Sequence, residues 1–517
     1  MERFKIHTHK AKGRISPKLH SQFIEFLGSC IYDGIWVGED SEIPNYHGLR
    51  KDVVDALREI QPPMVRWPGG CYADTYHWRD GVGPRDKRPV TYNENFGTYE
   101  PDSNQFGTHE FMELCRLIGA KPWFNINMMS GSVGEMREWM EYCNREEPTS
   151  LSGERKENGG ARPFQVEYWG IGNEVWAGGG TMTAADYAAE YRKYASAFPS
   201  FAKLGGKQEE QPLMYRIACG PDGNKPRERA EWTREFFKEL SRFRQPALDG
   251  YDIHFYNWNL EDSTQNETEY GEEDWYRVIS GCRELEEVIG EQYDLVREGL
   301  DRFKEAEGPF PSPKKKCDLI VGEWGNWHGS AFGNRPALFQ QCTMLDAVTS
   351  ALTLDIFHRN CEKVKAACVA QTVNVLNALL LTEKEQCIRT PNFYVFEMYK
   401  VHRDGEALVV SLDSGQQECR IDGFASKKDG SVYVNLVNTD MTKSRIAEVI
   451  FTQPVTYAGG ETLYSGDVHD CNTAEQPDLV RKREAEAPVL EGNRAQMMLP
   501  PASVSVYTFA LQTNMQE

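Results

Sequence analysis

Between roughly residues 21 and 370 the chain repeats one pattern, a short apolar run followed by a stretch whose apolar residues recur three and four positions apart. The apolar runs lie at 23–25, 64–67, 123–127, 166–173, 215–219, 251–256, 319–322 and 364–370. Each has the length of a buried strand. Helix-period segments separate several of them, most clearly at 53–60, 110–118, 133–142, 185–198 and 230–243. Eight strand–helix units in one run predict an α/β fold, a closed (β/α)8 TIM barrel, whose functional groups gather at the C-terminal ends of the strands.

Past Arg389-Thr390-Pro391 the texture changes. Ser431-Val432-Tyr433-Val434-Asn435-Leu436-Val437-Asn438 and Ser503-Val504-Ser505-Val506-Tyr507-Thr508-Phe509 read as strands between Gly, Asp, Asn and Pro turns, which predicts a C-terminal all-β, jelly-roll-like sandwich. Residues 4–9 alternate loosely, and a lone strand ahead of a barrel needs a partner for its backbone groups. The sandwich offers one. The expected organisation is therefore a sandwich strand in 1–17, the barrel in 18–390 and the sandwich proper in 391–517, with 470–493 as a long mobile loop.

Charge and cysteine usage narrow the function. A net charge of -20 opposes nucleic-acid binding, which needs clustered Lys and Arg. The one basic run, Lys314-Lys315-Lys316 after Pro311-Ser312-Pro313, reads as a solvated loop. No run of 18 or more apolar residues suggests a membrane span, and Met1-Glu2-Arg3-Phe4-Lys5-Ile6 has no apolar core of a signal peptide. Thirteen cysteines without a CxxC pair or a Cys/His cluster at metal spacing read as free thiols of a reducing cytoplasm, and no cofactor is expected.

Two of the apolar runs end in glutamate. Tyr168-Trp169-Gly170-Ile171-Gly172-Asn173-Glu174 closes the fourth and Leu319-Ile320-Val321-Gly322-Glu323-Trp324 the seventh. Ionised carboxylates are seldom buried without a partner or a task, and glycoside hydrolysis needs two of them. A barrel would put both on its functional face. Asn173 and Glu174 could instead cap a following helix, but that leaves Glu323 unexplained. Trp324 and Trp327 flank Glu323 with apolar surface, which shifts a carboxyl pKa, so neighbours could set one glutamate apart as acid and the other as nucleophile.

Other strand ends carry less decisive residues. In Arg66-Trp67-Pro68-Gly69-Gly70-Cys71 the glycine pair permits close approach to a ligand, whereas Cys71 reads by default as a small buried hydrophobe. In His254-Phe255-Tyr256 the histidine reads as a satisfied core residue, and the tyrosine either packs or holds a carboxylate in one rotamer. Glu25 and Gln371, at the ends of the first and eighth strands, could bind sugar hydroxyls or serve as ordinary surface or capping groups.

Taken together these segments resemble glycoside hydrolase family 51, the α-L-arabinofuranosidases. The likeness runs through Phe23-Ile24-Glu25-Phe26-Leu27-Gly28, the Arg66 to Cys71 turn, Tyr76-His77-Trp78-Arg79-Asp80-Gly81-Val82-Gly83-Pro84, Asn104-Gln105-Phe106-Gly107-Thr108, the two glutamate motifs and Gln371-Thr372-Val373-Asn374. It implies a retaining, exo-acting enzyme that removes terminal arabinofuranosyl groups from arabino-oligosaccharides, with Glu174 as general acid/base and Glu323 as nucleophile. It further implies that Glu25, Cys71, Asn173 and Gln371 bind the sugar ring, that Tyr256 orients the nucleophile and that Trp327 forms a wall. A cytoplasmic homo-oligomer, often a hexamer, with no metal needed for chemistry, completes the expectation. The chain departs from the family pattern at Asn95-Phe96, at Met128-Met129 and at Val175-Trp176-Ala177-Gly178-Gly179-Gly180, all expected near the pocket. The same machinery could serve a β-D-galactofuranoside, a β-D-xyloside or a β-glucan, and a carbohydrate-binding protein without activity is the reading from another class.

Overall fold

Strands Ser21–Phe23, Met64–Trp67, Lys121–Ile126, Tyr168–Ile171, Tyr215–Asp222, Gly250–Asn257, Asp318–Asn326 and Val364–Ala370 hydrogen-bond in sequence order, all parallel. The last returns to the first through Cys368 opposite Ser21 and Ala370 opposite Phe23, which closes the expected eight-stranded barrel. The computed structural model describes residues 2–200, 214–242, 246–258, 267–306, 316–413 and 419–512. Of the basic run only Lys316 is among them.

The helices form where the apolar spacing placed them. Lys51–Ile60 buries Val53, Val54, Ala56, Leu57 and Ile60 on one face and stops at Gln61, whose backbone turns left-handed (φ 51°) and returns its N–H to Leu57. Thr108–Ile118 ends the same way at Gly119 (φ 74°). Met344–Arg359 differs, because every residue from Met344 to His358 is buried. It is covered on one side by the barrel and on the other by the C-terminal sheet, which is why its apolar residues show no single face.

Ten strands make that sheet, and the N-terminal strand Glu2–Arg14 lies inside it. Phe4 sits opposite Leu412 of Glu406–Asp413 in an antiparallel pair and opposite Val449 of Arg445–Phe451 in a parallel one, so the strand's backbone has partners on both sides. The sheet curls until Phe451 meets Phe509 of Ser503–Leu511 at 4.8 Å between ring centroids, enclosing Phe4, Ile6, Val432 and Val434 in a core of its own. Between barrel and sheet stands the helix Pro391–Tyr399, nearly all buried.

Residues 470–493 are not a free loop. Asn472 is buried, donates to the carbonyls of Arg389 (2.7 Å) and Val480 (2.8 Å) and accepts from the Val480 N–H. Lys482–Glu484 and Val489–Glu491 then add short strands at the two edges of the sheet. One buried asparagine and one buried valine anchor a segment whose average polarity conceals them. No helix among the described residues is long and apolar enough to cross a membrane.

Because Phe451 is wholly buried against Phe509, Phe451→Ala should cost about 3–5 kcal/mol of stability. Denaturant unfolding checks this, and a loss below about 1 kcal/mol would mean the sandwich core is not packed through that pair.

Candidate active site

A cleft of about 190 Å³ opens at the C-terminal ends of the strands. Side chains alternate along a strand, so Gly250–Asn257 sends Asp252, His254 and Tyr256 to one side and Tyr251 to the other, against Phe236 and Phe237. On Met64–Trp67 the same alternation turns Trp67 outward onto Phe111 and Phe124 and Arg66 inward.

Arg66 is 1% exposed and connects two strands. Its Nη1 donates to Glu323 Oε1 and its Nη2 to Asn173 Oδ1, both at 2.6 Å, while the guanidinium lies 4.5 Å over the Phe23 ring. Glu323 thus faces the guanidinium directly, whereas Glu174, across the barrel mouth, does not: Arg66 meets the strand of Glu174 at the neutral amide of Asn173. Tyr256 donates its hydroxyl to Glu323 Oε2 at 2.6 Å.

Glu174 stands past the end of its strand in a left-handed backbone conformation (φ 39°) that glutamate seldom takes, after Gly172 at φ 85°. Its carbonyl accepts from Ala177 (2.7 Å) and Gly179 (3.2 Å), which hold the turn. The next helix, Ala184–Ser196, starts ten residues on with Thr183 as its cap, so Asn173 and Glu174 cap nothing. Glu174 Oε1 instead lies 2.9 Å from His254 Nδ1. His254 Nδ1 is also 3.6 Å from Glu323 Oε1, and its Nε2 is 3.3 Å from Asp252 Oδ2. One carboxylate oxygen of Glu174, one of Glu323 and a ring nitrogen of His254 fall within 4.8 Å of one another.

Glu25 accepts from the Tyr72 N–H (2.9 Å), Asn95 Nδ2 (3.0 Å) and Gln371 Nε2 (2.8 Å). The glycine pair makes room for it, since a Cβ on Gly69 or Gly70 would stand 2.8 Å from Glu25 Oε1. Cys71 Sγ is 4.0 Å from both Glu174 Oε2 and Asn173 Nδ2. Trp327 packs on Tyr256 (4.9 Å) and Trp258 (4.5 Å), and the half-exposed rings of Phe96, Trp258 and Phe332 form a rim around it.

The electrostatics separate the two central acids. Burial raises Glu174 above the usual carboxylate range. Burial would raise Glu323 as well, but the charges of His254 and Arg66 outweigh it and hold Glu323 below that range, with the Tyr256 hydrogen bond adding to the effect. His254 is raised to about 10 because the charges of Glu323 and Asp252 overcome its burial. Burial, then the charge of Glu323, pushes Glu25 up to about 7. Burial beside Glu174 keeps Cys71 a thiol at neutral pH. Although Glu174, His254 and Glu323 are grouped like cation ligands, Arg66 and Tyr256 already occupy both oxygens of Glu323.

Comparison with known proteins gives the family of the whole chain. The α-L-arabinofuranosidase 1 domain matches residues 56–277 and the α-L-arabinofuranosidase C-terminal domain matches residues 322–503. An intracellular exo-α-L-arabinofuranosidase of Bacteroides ovatus is 33% identical over 98% of this chain and 95% of its own length. The chain belongs to glycoside hydrolase family 51. A family 51 arabinofuranosidase of Xanthomonas axonopodis pv. citri superposes with a TM-score of 0.87 at 33% identity, covering 98% of this chain and 99% of that one. An α-L-arabinofuranosidase of Thermotoga maritima, solved with arabinose, gives 0.83 at 26% identity over 99% and 100%.

In this family 51 chain Glu25, Cys71, Glu174, Tyr256, Glu323, Trp327 and Gln371 all border one cleft, and Asn173 lies just behind it between Arg66 and Cys71. His254, read from sequence as a core residue, touches both glutamates instead. Arg66 and Asp252 carried no assignment. The alternation Asp252, His254, Tyr256 was the available signal, because one face of a barrel strand shares one destination. Of the departures from the family pattern, Asn95 holds Glu25, while Phe96 and Trp176 line the cleft. Met128 lies under Gly172, whereas Met129 is largely exposed.

Removing Arg66 strands a buried carboxylate, so Arg66→Met should cost about 3–5 kcal/mol at neutral pH. Glu323 is depressed in the fold, so this contribution is complete above its ordinary value of 4.5 and disappears as pH falls through the lower folded value. Denaturant unfolding at several pH values checks both statements; a pH-independent loss would contradict the second.

Proposed function

We propose that this chain is a retaining, exo-acting α-L-arabinofuranosidase that removes terminal non-reducing α-L-arabinofuranosyl groups from arabino-oligosaccharides. The observation that carries the proposal is the pair of carboxyl groups with oxygens within 4.8 Å, one held above and the other below the usual carboxylate range. Retaining glycosidases hold their carboxyl groups about 5–5.5 Å apart and inverting ones about 6.5–9.5 Å. In the first step a Glu323 oxygen forms a bond to the anomeric carbon while the glycosidic C–O bond breaks, and the leaving oxygen takes the proton of Glu174. In the second, Glu174, now a carboxylate, takes a proton from water whose oxygen displaces Glu323, leaving both acids as they began. Arg66 and Tyr256 hold Glu323 anionic and in one rotamer. Glu25, Cys71, Asn173 and Gln371 are assigned to the sugar ring and Trp327 to its wall.

The cleft, at about 190 Å³, is well below the 300–1,000 Å³ of sites for drug-sized ligands and suits a single ring, which supports exo action. The exposed faces of Phe96, Trp258 and Phe332 suit the rest of the saccharide. A cytoplasmic location, supported by thirteen free cysteines and by the name of the Bacteroides ovatus relative, and a homo-oligomeric state belong to the same reading. Nucleic acid and membranes have no part in it.

Initial rates on matched aryl glycosides of α-L-arabinofuranose, β-D-galactofuranose and β-D-xylopyranose test the sugar. Arabinofuranoside turnover should dominate and vanish in Glu323→Ala. A dominant rate on another glycoside would relocate the specificity, and sugar binding without turnover would leave a binding protein. Glu174→Ala should lower turnover of oligosaccharides by about 10²–10⁴. Azide, which needs no general base, should restore turnover of aryl arabinofuranosides in that variant; no restoration would remove Glu174 from the acid/base role. The pH profile of kcat/KM should be bell-shaped, rising below 4.5 as Glu323 ionises and falling above 4.5 as Glu174 loses its proton.

A further inference from the structure

Asp252 is buried one alternation before His254 and makes two contacts. Its Oδ1 accepts the Gly322 N–H at 2.5 Å, immediately ahead of Glu323 in the chain, and its Oδ2 faces His254 Nε2 at 3.3 Å. Gly322 is required for this approach, because a Cβ there would stand 2.3 Å from Asp252 Oδ2. On the far side of the ring, Nδ1 meets Glu174 at 2.9 Å and Glu323 at 3.6 Å. A chain of contacts thus runs from the backbone before one catalytic glutamate, through a carboxylate and an imidazole, to the other.

We propose that Asp252 is a positioning residue that keeps His254 an imidazolium, so that one fixed positive charge faces Glu174 and Glu323 through both steps of the reaction. This rests on the two-carboxylate reading above. With both ring nitrogens protonated, Nε2–H donates to Asp252 and Nδ1–H donates to Glu174 Oε1 whether that acid is neutral or ionised. The proton that Glu174 delivers is thereby confined to Oε2, the oxygen nearer Cys71 and not engaged by His254. When Glu174 becomes a carboxylate after the first step, the imidazolium is already beside it and nothing has to reorganise.

The other groups around the ring do not replace this function. Asp222, at the end of the fifth strand, bears on the same histidine but is itself raised by burial. Arg66 reaches Glu323 and faces Asp252, yet it contacts the Glu174 strand only through Asn173. The thiols of Cys219 and Cys368 near Asp252 are raised by burial and stay neutral.

Asp252→Asn separates charge from geometry. Only the amide oxygen can accept the Gly322 N–H, so the amide nitrogen would face His254 Nε2 and force that atom to be an acceptor. His254 would then be neutral while still donating Nδ1–H to Glu174. The Asp252–His254 pair is neutral overall in either protein, but in the natural one its positive end is the end turned toward the glutamates. Losing that cation raises the pKa of both.

The expected result is a kcat/KM profile for an aryl arabinofuranoside in which the acid and alkaline limbs both move at least one unit to higher pH, with KM within threefold. In ¹⁵N-histidine-labelled protein, with the His254 signals identified by their loss in His254→Gln, the ring should be charged at pH 7.5 in the natural enzyme and neutral in Asp252→Asn. A His254 that stays charged in the variant, or a rate that falls with both limbs unmoved, would overturn the proposal. Should the Asn variant fail to fold, Asp252→Ser is read by the same two measurements. Absence of turnover in the natural protein would overturn the arabinofuranosidase reading alone, since the histidine signals decide the role of Asp252 without activity.

Discussion

A guanidinium almost wholly withdrawn from water sits at the mouth of the barrel, and where its nitrogens point helps to set apart the acids around it. Arg66 gives one side of its fork to the carboxylate of Glu323 and the other to the amide of Asn173. Two glutamates at the ends of the fourth and seventh strands, facing each other across the barrel mouth, are both buried. His254 bears on both acids, but only Glu323 also receives the guanidinium, and this difference holds Glu323 below the usual carboxylate range while burial holds Glu174 above it. A buried ion pair gives little net stability when formed and costs a great deal when broken. Such a pair is therefore understood better through the reaction it prepares than through the stability it adds.

The fold supplies this arrangement by closing. Glu25 and Gln371 are 346 residues apart and share a hydrogen bond because the eighth strand returns to the first. Close approach is bought at three glycines: Gly69 and Gly70 leave room for Glu25, and Gly322 for Asp252. Away from the cleft, the helix Met344–Arg359 is fastened on both sides. His20 meets His358 at 2.9 Å from the barrel, and Asn435 of the sheet donates to Asp355 at 2.7 Å. The sheet thus holds the outer layer of the barrel in place, and the strand ends that carry the chemistry inherit its rigidity.

Much of the architecture was legible because barrel strands are buried on both faces and so read as continuous apolar runs. Both glutamates stood out for the same reason, as charges terminating such runs. His254 did not, since a histidine within an apolar run is ordinarily a packed one, and only the lateral contact with Glu174, 80 residues earlier, reveals otherwise. Arg66 was hidden in a glycine-rich motif whose flexibility drew attention to the turn. In the C-terminal region, Ser431–Asn438 was found to the residue and Ser503–Phe509 fell two residues short of the strand Ser503–Leu511, whereas 470–493 was misread because Asn472 and Val480 anchor it singly rather than periodically.

The central claim is that Glu323, held anionic by Arg66 and His254, is the group that bonds to the sugar. Incubation with an aryl 2-deoxy-2-fluoro-arabinofuranoside, which slows the second step, followed by proteolysis and peptide mass spectrometry, tests this directly. The account predicts one fluoroarabinosyl group on the peptide that contains Glu323 and none elsewhere. A label on Glu174 or Glu25, or product of inverted configuration with no labelled peptide, would contradict it.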